Sequence, residues 1–228
     1  MKKALIIIST IIIMGCNSNI DNMSVSGNVD GLMKGTLFLQ SQKDSVVVNL
    51  DSMYLKGDGN FKLSTYINEP DIFYLYLDKQ DGDSLNDIIT FFGKKGDIQI
   101  NTRLNTFDTS FEISGSENSD LLNEYNSIIR KYNMQNLDLL EIFYNAQIEN
   151  NQTRIDSVNS ELENLIRKKY LYTLNFSITN SANEISPYIA VSQIADANID
   201  LLRRVYDTLP EKIKESKYGK ILKEITSD

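Results

Sequence analysis

The spacing of apolar residues changes near Gly115, and this change is the sequence feature that limits the possible fold classes most strongly. Between residues 23 and 115, apolar side chains alternate with polar ones or form short runs interrupted by Gly, Asp and Asn, a pattern typical of short strands. Beyond Gly115 they recur every three or four residues, as on amphipathic helices. The sequence therefore predicts an α+β protein, with an N-terminal antiparallel β-sandwich or barrel followed by a C-terminal helical region.

The strands are predicted from alternation and from turn residues. Alternation is clearest at Phe61, Leu63 and Thr65, and Asp58-Gly59 supplies the positive-φ residues that a tight hairpin requires. The predicted strands are Met23–Val29, Thr36–Gln40, Ser45–Leu55, Phe61–Tyr66, Asp71–Asp78, Asp87–Phe92, Asp97–Asn101 and Phe107–Ile113.

The helices are predicted from apolar spacing and from capping residues. Ser116 to Ser119 can cap the first helix, and Ser186-Pro187 has the order of an N-cap followed by a first-turn proline. The first predicted helix runs from this cap to a break at Asn150-Asn151, and the second follows that break and ends at Asn180 to Asn183. The others run from Ser186 to about Asp196, from Ile199 to Thr208 and from Pro210 to Ile225.

The composition excludes several classes of chemistry. The chain has no His and one Cys, so it offers no histidine base, no His-ligated metal, no disulfide and no CxxC pair. Its formal net charge of −8 argues against a nucleic-acid ligand, because phosphate binding requires basic patches. No motif identifies a nucleophile or a carboxylate pair. We therefore expect a protein that is not an enzyme and uses no cofactor.

The N-terminus has the features of an export signal. Lys2 and Lys3 precede the apolar run Ala4 to Met14, which is too short to span a membrane and has the length of a signal-peptide core. The run ends at Ile13-Met14-Gly15-Cys16, which resembles a bacterial lipobox. The single Cys of the chain thus stands where a lipoprotein receives its lipid, and Cys16 is the predicted lipidation site.

This interpretation divides the chain and gives it a location. We predict a signal peptide over residues 1–15, a lipidated tether over 16–22, a β-sandwich domain over 23–115 and a helical region over 116–228. Several acyl chains on Cys16 would anchor the protein stably in a membrane. Asn17 after the Cys favours the outer membrane, with the periplasmic face expected and surface exposure left open.

Two segments before Gly115 are candidate binding sites. The loop between the fifth and sixth predicted strands is rich in carboxylates, which can hold calcium, although its spacing does not fit an EF-hand. Its candidate ligands are Asp78, Asp81, Asp83 and Asp87. The run Ile72 to Leu77 alternates and could present a tyrosine face to a glycan or peptide, or could simply span a buried sheet.

A third pattern concerns modification. Asp followed by Ser or Thr and then an apolar residue recurs along the chain and is similar to the O-glycosylation signal of secreted Bacteroidota proteins. Turn chemistry and chance explain the pattern equally well. The candidate hydroxyls are Ser45, Ser52, Ser84, Ser157 and Thr208.

Several short motifs occur in an order that resembles a known family. They are Val25-Ser26-Gly27-Asn28-Val29, Gly35-Thr36-Leu37-Phe38-Leu39, Gly57-Asp58-Gly59-Asn60-Phe61, Ile113-Ser114-Gly115-Ser116, Leu209-Pro210 and Ser216-Lys217-Tyr218-Gly219-Lys220. Together they resemble the N-terminal domain of unknown function in periplasmic thiol–disulfide oxidoreductase lipoproteins of Bacteroidota. The resemblance implies that this chain shares the location and the architecture of that domain. It does not carry over oxidoreductase activity, because these 228 residues contain no CxxC.

Three functions follow as expectations. The first is a non-catalytic, outer-membrane-anchored binding or scaffold module for an unidentified protein or small ligand. The second is an accessory subunit that docks a separately encoded thioredoxin-like oxidoreductase. The third is a hydrolase that uses two Asp or Glu side chains, which would require a deep pocket holding two close acids.

Overall fold

A computed structural model describes residues 20–79, 87–196 and 198–227. Within these ranges the N-terminal half forms strands and the C-terminal half forms helices, as the pattern predicts. The strands are β1 (Met23–Asp30), β2 (Lys34–Lys43), β3 (Val46–Lys56), β4 (Asn60–Thr65), β5 (Asp71–Asp78), β6 (Ile88–Gly93), β7 (Gly96–Arg103) and β8 (Glu112–Ser114). The helices are α1 (Glu117–Ile148), α2 (Gln152–Thr179), α3 (Ile185–Gln193), α4 (Ile199–Thr208), α5 (Glu211–Lys214) and α6 (Lys217–Thr226).

The strands form two four-stranded sheets that do not close into a barrel. The first sheet has the order β4-β1-β7-β8 and the second the order β3-β2-β5-β6. Strands β1 and β7 are parallel, whereas the other pairings described are antiparallel. Gly27 lies opposite Ile100 in the parallel pair, where a Cβ would come within 1.7 Å of the Ile100 carbonyl oxygen. The close approach of these two strands therefore requires glycine at this position.

The main core lies between the two sheets. Alternate residues of each strand point inward, so Val25 and Ile98 of the first sheet face Leu39, Leu75 and their neighbours of the second. These four side chains are fully buried. Burial of aliphatic and aromatic side chains on both inner faces is what holds the sandwich together.

A second cluster joins the helices to the outer face of the second sheet. Ile72 of β5 and Phe92 of β6 pack there against Tyr125 of α1, Phe176 of α2 and Ile189 of α3. A third cluster is built by helices α2, α3, α4 and α6 with the segments between them. The β-sandwich and the helical region thus share apolar contacts at one end of this sheet.

Two strand predictions need correction. The predicted strand Phe107–Ile113 is reduced to Glu112–Ser114, because a 3-10 helix over Leu104–Thr106 and a following turn precede it. Gly59 does adopt positive φ, but the turn at Asp58-Gly59 is not a hairpin: β3 pairs within the second sheet and β4 within the first. A positive-φ dipeptide fixes a local turn, whereas tertiary packing decides which strands pair.

The helix predictions also need correction at two boundaries. Helix α3 begins at Ile185, before Ser186 and Pro187, and its N-cap residue is Glu184. The segment predicted as one helix from Pro210 is two helices, because the Ser216 side chain accepts a hydrogen bond from the Gly219 amide and begins α6 anew. A serine that caps a helix also interrupts the one before it.

Helices α1 and α2 form a long antiparallel hairpin. At 1.5 Å per residue, α1 is about 48 Å long, and Asn150 with positive φ lies in the turn before α2. Only the first turns of α1 contact β6 and β8, so the rest of the hairpin extends away from the sandwich. Among the helices of the described ranges, none is long and apolar enough to cross a membrane.

Candidate functional site

A cleft of about 360 Å³ lies where the sandwich meets the helices. Strand β5 forms its floor, the β2–β3 turn forms one side, and α3 and the start of α6 form the other. Its lining contains three tyrosines, several neutral polar groups, two acids and one lysine: Gln42, Asp44, Ser45, Asp71, Ile72, Tyr74, Tyr188, Ser192, Lys217 and Tyr218. The volume is within the range of small-molecule sites.

The β2–β3 turn is a tight two-residue hairpin connection. Asp44 and Ser45 both have positive φ, at 46° and 72°, as a type I′ turn requires. Asp tolerates this conformation better than most residues, although glycine is the usual choice. The turn brings the Ser45 side chain to the edge of the cleft.

Asp71 organises the polar end of the cleft. Its carboxylate accepts hydrogen bonds from the Lys217 ammonium group and the Tyr218 hydroxyl, each at 2.5 Å. The Lys217 ammonium also lies 5.0 Å from the centre of the Tyr218 ring, and the Lys217 amide donates to the Glu69 carboxylate. Asp71 therefore ties the first turn of α6 to the beginning of β5.

The tyrosines of the cleft form an aromatic wall. The Tyr188 and Tyr218 rings meet edge to face at 4.9 Å, and both lie against Phe92. Burial raises the pKa of Tyr218 well above its usual range, and the hydrogen bond and charge of Asp71 add to this. Burial likewise raises the pKa of Tyr74 and Tyr188. The three phenols are thus neutral near pH 7 and can donate hydrogen bonds but cannot act as bases.

The predicted tyrosine face exists, and it continues from the cleft onto open sheet. Phe73, Leu75 and Leu77 point into the sandwich, whereas Tyr74 and Tyr76 are half-buried on the outer face. Beyond Tyr74 the helices no longer cover the sheet. Here the Tyr76 ring stacks on Phe38 at 5.9 Å. The strand register places the exposed residues Ser52 and Ile88 on either side of this pair.

The carboxylate loop does not form a metal site in the part that the structure describes. Asp87 is buried and its carboxylate lies 3.0 Å from the Lys79 ammonium group, while Asp78 is half-buried at the end of β5. Asp81 and Asp83 lie outside the described residues. Among the residues that are described, no three acidic, His or Cys side chains come together as a metal site.

Some of the predicted modification sites lie outside the described residues and the others lie within them. Cys16 and Ser84 lie outside the described residues. The hydroxyl-bearing residues Ser45, Ser52, Ser157 and Thr208 are all exposed, and the Thr208 hydroxyl donates to the Val205 carbonyl. Exposure is necessary for glycosylation, and the prediction stands as made.

Sequence reasoning identified one strand of the cleft and missed the rest. It singled out the run that contains Tyr74, but gave no reason to choose Asp71, Tyr188, Lys217 or Tyr218. Asp71 and Lys217 are 146 residues apart and meet only through the packing of α6 on the sheet. The available signal was the tyrosine content of the chain, which points to no particular position.

Comparison with known proteins places the sandwich in a domain family. The fold defines a two-sheet β domain with a helical extension. Residues 23–122 contain a domain of the family described as "Domain of unknown function (DUF4369)". The matched region covers the sandwich and the first turns of α1. No curated protein and no solved structure matches the chain.

Proposed function

We propose that this protein is a non-catalytic, lipid-anchored protein of the bacterial cell envelope that binds a small polar ligand in the cleft. The observation that carries the proposal is the cleft between β5, α3 and α6, which continues into the uncovered aromatic surface at Phe38 and Tyr76. Concave sites with aromatic walls and a few polar groups are typical binding sites. Its phenols remain protonated near neutral pH, which suits recognition rather than proton transfer.

The lining favours a neutral ligand that carries hydroxyl groups. Asp44 and Asp71 outnumber Lys217, so the cleft does not attract anions. Asp71 and Lys217 already bond to each other, and Ser192 bonds to Tyr188. The neutral groups of Gln42 and Ser45 are left to contact a ligand. Tyrosine rings can stack against the apolar face of a sugar while such groups bond its hydroxyls. The proposed ligand class is therefore a short neutral saccharide.

Saccharide binding is tested by titrating the chain 17–228 with cellobiose, maltose and chitobiose in a calorimeter. We expect saturable binding of at least one sugar, abolished by Tyr74→Ala and retained by Tyr74→Phe, because the ring supplies the stacking surface. Tyr144→Ala, on the exposed face of α1, is the matched control and should bind as wild type. Absence of binding to all three sugars, or unchanged binding by Tyr74→Ala, would reject the assignment.

The proposed anchor is supported by the lipobox-like residues before Cys16. The Asn22 side chain bonds to both the carbonyl and the amide of Ile67, and the Ser64 hydroxyl donates to Asp21. Asp21 and Asn22, the last two residues of the predicted tether over 16–22, are thus bonded to the sandwich.

Lipidation is tested by labelling cells with a fatty-acid probe. We expect the wild-type protein to be labelled and to fractionate with membranes, and Cys16→Ala to lose both properties. Ser18→Ala is the control, because it changes the same segment without removing the acceptor. An unlabelled wild-type protein would disprove the anchor and leave the cleft assignment intact.

A second candidate function follows from the DUF4369 match together with the resemblance to thioredoxin-like lipoproteins. In this alternative the protein docks a separately encoded thioredoxin-like oxidoreductase. Affinity capture with the chain 17–228 from a periplasmic extract distinguishes the two functions. Recovery of a protein with a CxxC pair supports docking, and its absence together with sugar binding supports the first proposal.

A further inference from the structure

An exposed seam runs along the outer side of the α1–α2 hairpin. Its positions on α1 are separated by four, three, four, three and four residues, the spacing of a coiled-coil contact line. Its apolar members are among the most exposed large side chains described: Met134 is 67%, Leu137 65%, Tyr144 59% and Ile148 78% exposed. We call the following six residues the outer seam: Arg130, Met134, Leu137, Glu141, Tyr144 and Ile148.

The outer seam faces away from α2. The contacts between the two helices use other positions of α1: the Tyr132 ring packs on Tyr172, and the Tyr125 hydroxyl bonds to Thr173. Leu139 lines a groove between the helices together with Leu165. Leu139 follows Leu137 by two residues, which is about 200° around the helix. No residue of the described ranges covers the seam, so α1 has one partnered and one unpartnered apolar face.

The charges along α1 are arranged so that the seam is complementary to itself. Two basic residues, Arg130 and Lys131, precede the apolar pair Met134 and Leu137, and two acidic residues follow that pair on the same side of the helix. These acids are Asp138 and Glu141, and all four charged side chains are exposed. An antiparallel second α1 would place acid against base on both sides of the apolar pair.

We propose that the outer seam is the interface of a homodimer in which two α1 helices pack antiparallel. In this register Met134 of one copy lies opposite Leu137 of the other, and Arg130 lies opposite Glu141. An antiparallel dimer shifted by one heptad would bury Glu141 against Leu137. A parallel dimer would place like charges next to each other. Each of these two alternatives costs free energy relative to the proposed register. A second copy of the chain fits the outer seam, because a two-fold dimer uses the same surface on both copies and that surface must be complementary to itself.

The dimer is independent of the cleft and of the lipid anchor. The seam lies on the part of the hairpin that projects from the sandwich, and none of the cleft residues belongs to it. The chain 17–228 is suitable for the test, since every strand, helix and core cluster described lies within residues 23–226. Failure of dimerisation would leave sugar binding unaffected, and the reverse also holds.

Analytical ultracentrifugation of this chain over a range of concentrations tests the proposal. We expect a monomer–dimer equilibrium, and expect Arg130→Glu or Glu141→Arg alone to raise the dimer Kd by about tenfold or more, because each opposes like charges. The double variant Arg130→Glu/Glu141→Arg should restore a dimer near wild-type affinity. Leu137→Ser should also weaken the dimer, whereas the control Leu171→Ser, exposed on α2, should not.

Circular dichroism confirms that each variant is folded before its Kd is interpreted. A wild-type chain that stays monomeric at the highest concentration would overturn the proposal. So would a stoichiometry other than two, or a double variant that remains as weak as the single variants. Charge exchange that restores the dimer identifies the antiparallel register, since only that register brings residues 130 and 141 of the two copies together.

Discussion

At the residue scale, the half-buried carboxylate of Asp71 joins parts of the chain that are far apart in sequence. It bonds to the Lys217 ammonium and the Tyr218 hydroxyl, and so holds the beginning of α6 on β5. Both Asp71 and Lys217 keep part of their surface in water, so their attraction is screened and modest. The Tyr218 phenol is partly buried and donates to the same carboxylate, so its ionisation links the joint to pH.

The stability of the joint should therefore fall at alkaline pH. The folded state raises the pKa of Tyr218 above its ordinary value of 10.0, because burial and the Asp71 carboxylate oppose a phenolate. The contribution of Tyr218 to the free energy of unfolding is fully present below about pH 10. It is lost as pH rises further, because the phenol ionises at lower pH in the unfolded chain than in the folded one. Urea unfolding at alkaline pH should show a shallower loss of unfolding free energy for Tyr218→Phe than for wild type.

At neutral pH, Tyr218→Phe should lower the free energy of unfolding by about 1 kcal/mol, because its hydrogen bond to Asp71 is missing. Tyr54→Phe, exposed on β3, is the control and should follow the wild-type pH dependence. Parallel alkaline curves for Tyr218→Phe and wild type would show that this phenol is free to ionise in the folded protein.

At the element scale, two serines fix the beginning of α1 on the edge strand β6. The Ser119 hydroxyl accepts from the Phe92 amide at 2.9 Å and donates to the Phe92 carbonyl at 3.0 Å. The Ser116 hydroxyl donates to the same carbonyl at 2.6 Å and accepts the Ser119 amide as the helix cap. Polar groups on the free edge of β6 are thus satisfied by the helix that follows the sandwich.

Ser119→Ala should destabilise the protein by about 1–3 kcal/mol, because it leaves the buried Phe92 amide without an acceptor. Ser127→Ala in the same helix is the matched control. Its hydroxyl donates to the Glu124 carbonyl at the surface, so its loss should change the unfolding free energy by less than about 0.5 kcal/mol. Chemical denaturation measures both values, and equal effects would contradict the role of the junction.

At the scale of the whole molecule, the helices cover apolar surface that the sandwich exposes on its outer face. Ile72 and Phe92 point away from the main core and are buried by residues of α1, α2 and α3. Removing this cover would return large apolar side chains to water, which costs about 25 cal/mol per Å². The sandwich and the helical region should therefore stabilise one another.

The chain 17–228 should consequently unfold in one transition, with tyrosine fluorescence and circular dichroism giving the same midpoint. A fragment ending at Gly115 lacks both serines and the cover over Phe92, and should bind a hydrophobic dye or aggregate. A fragment with a cooperative transition at the midpoint of the longer chain would show that the sandwich does not depend on the helices.

Local patterns in the sequence anticipated a large part of this architecture. Alternation located β5 and helical spacing located α4 at their observed bounds, because burial of one face imposes a period on a strand or helix. The β2–β3 turn was not anticipated as a two-residue hairpin, since Asp44-Ser45 lacks the glycine that marks most such turns. Local propensity also gave no reason to expect a parallel β1–β7 pair.

The sequence by itself determined the α+β class, the change from strands to helices near Gly115 and the chemistry that a chain without His can perform. These follow from composition and from contacts between near neighbours. Only the tertiary structure decided which strands share a sheet, that Asp71 meets Lys217, and that one face of α1 remains uncovered. The reason is that such contacts join residues far apart in sequence, and their free energy depends on packing that no local pattern records.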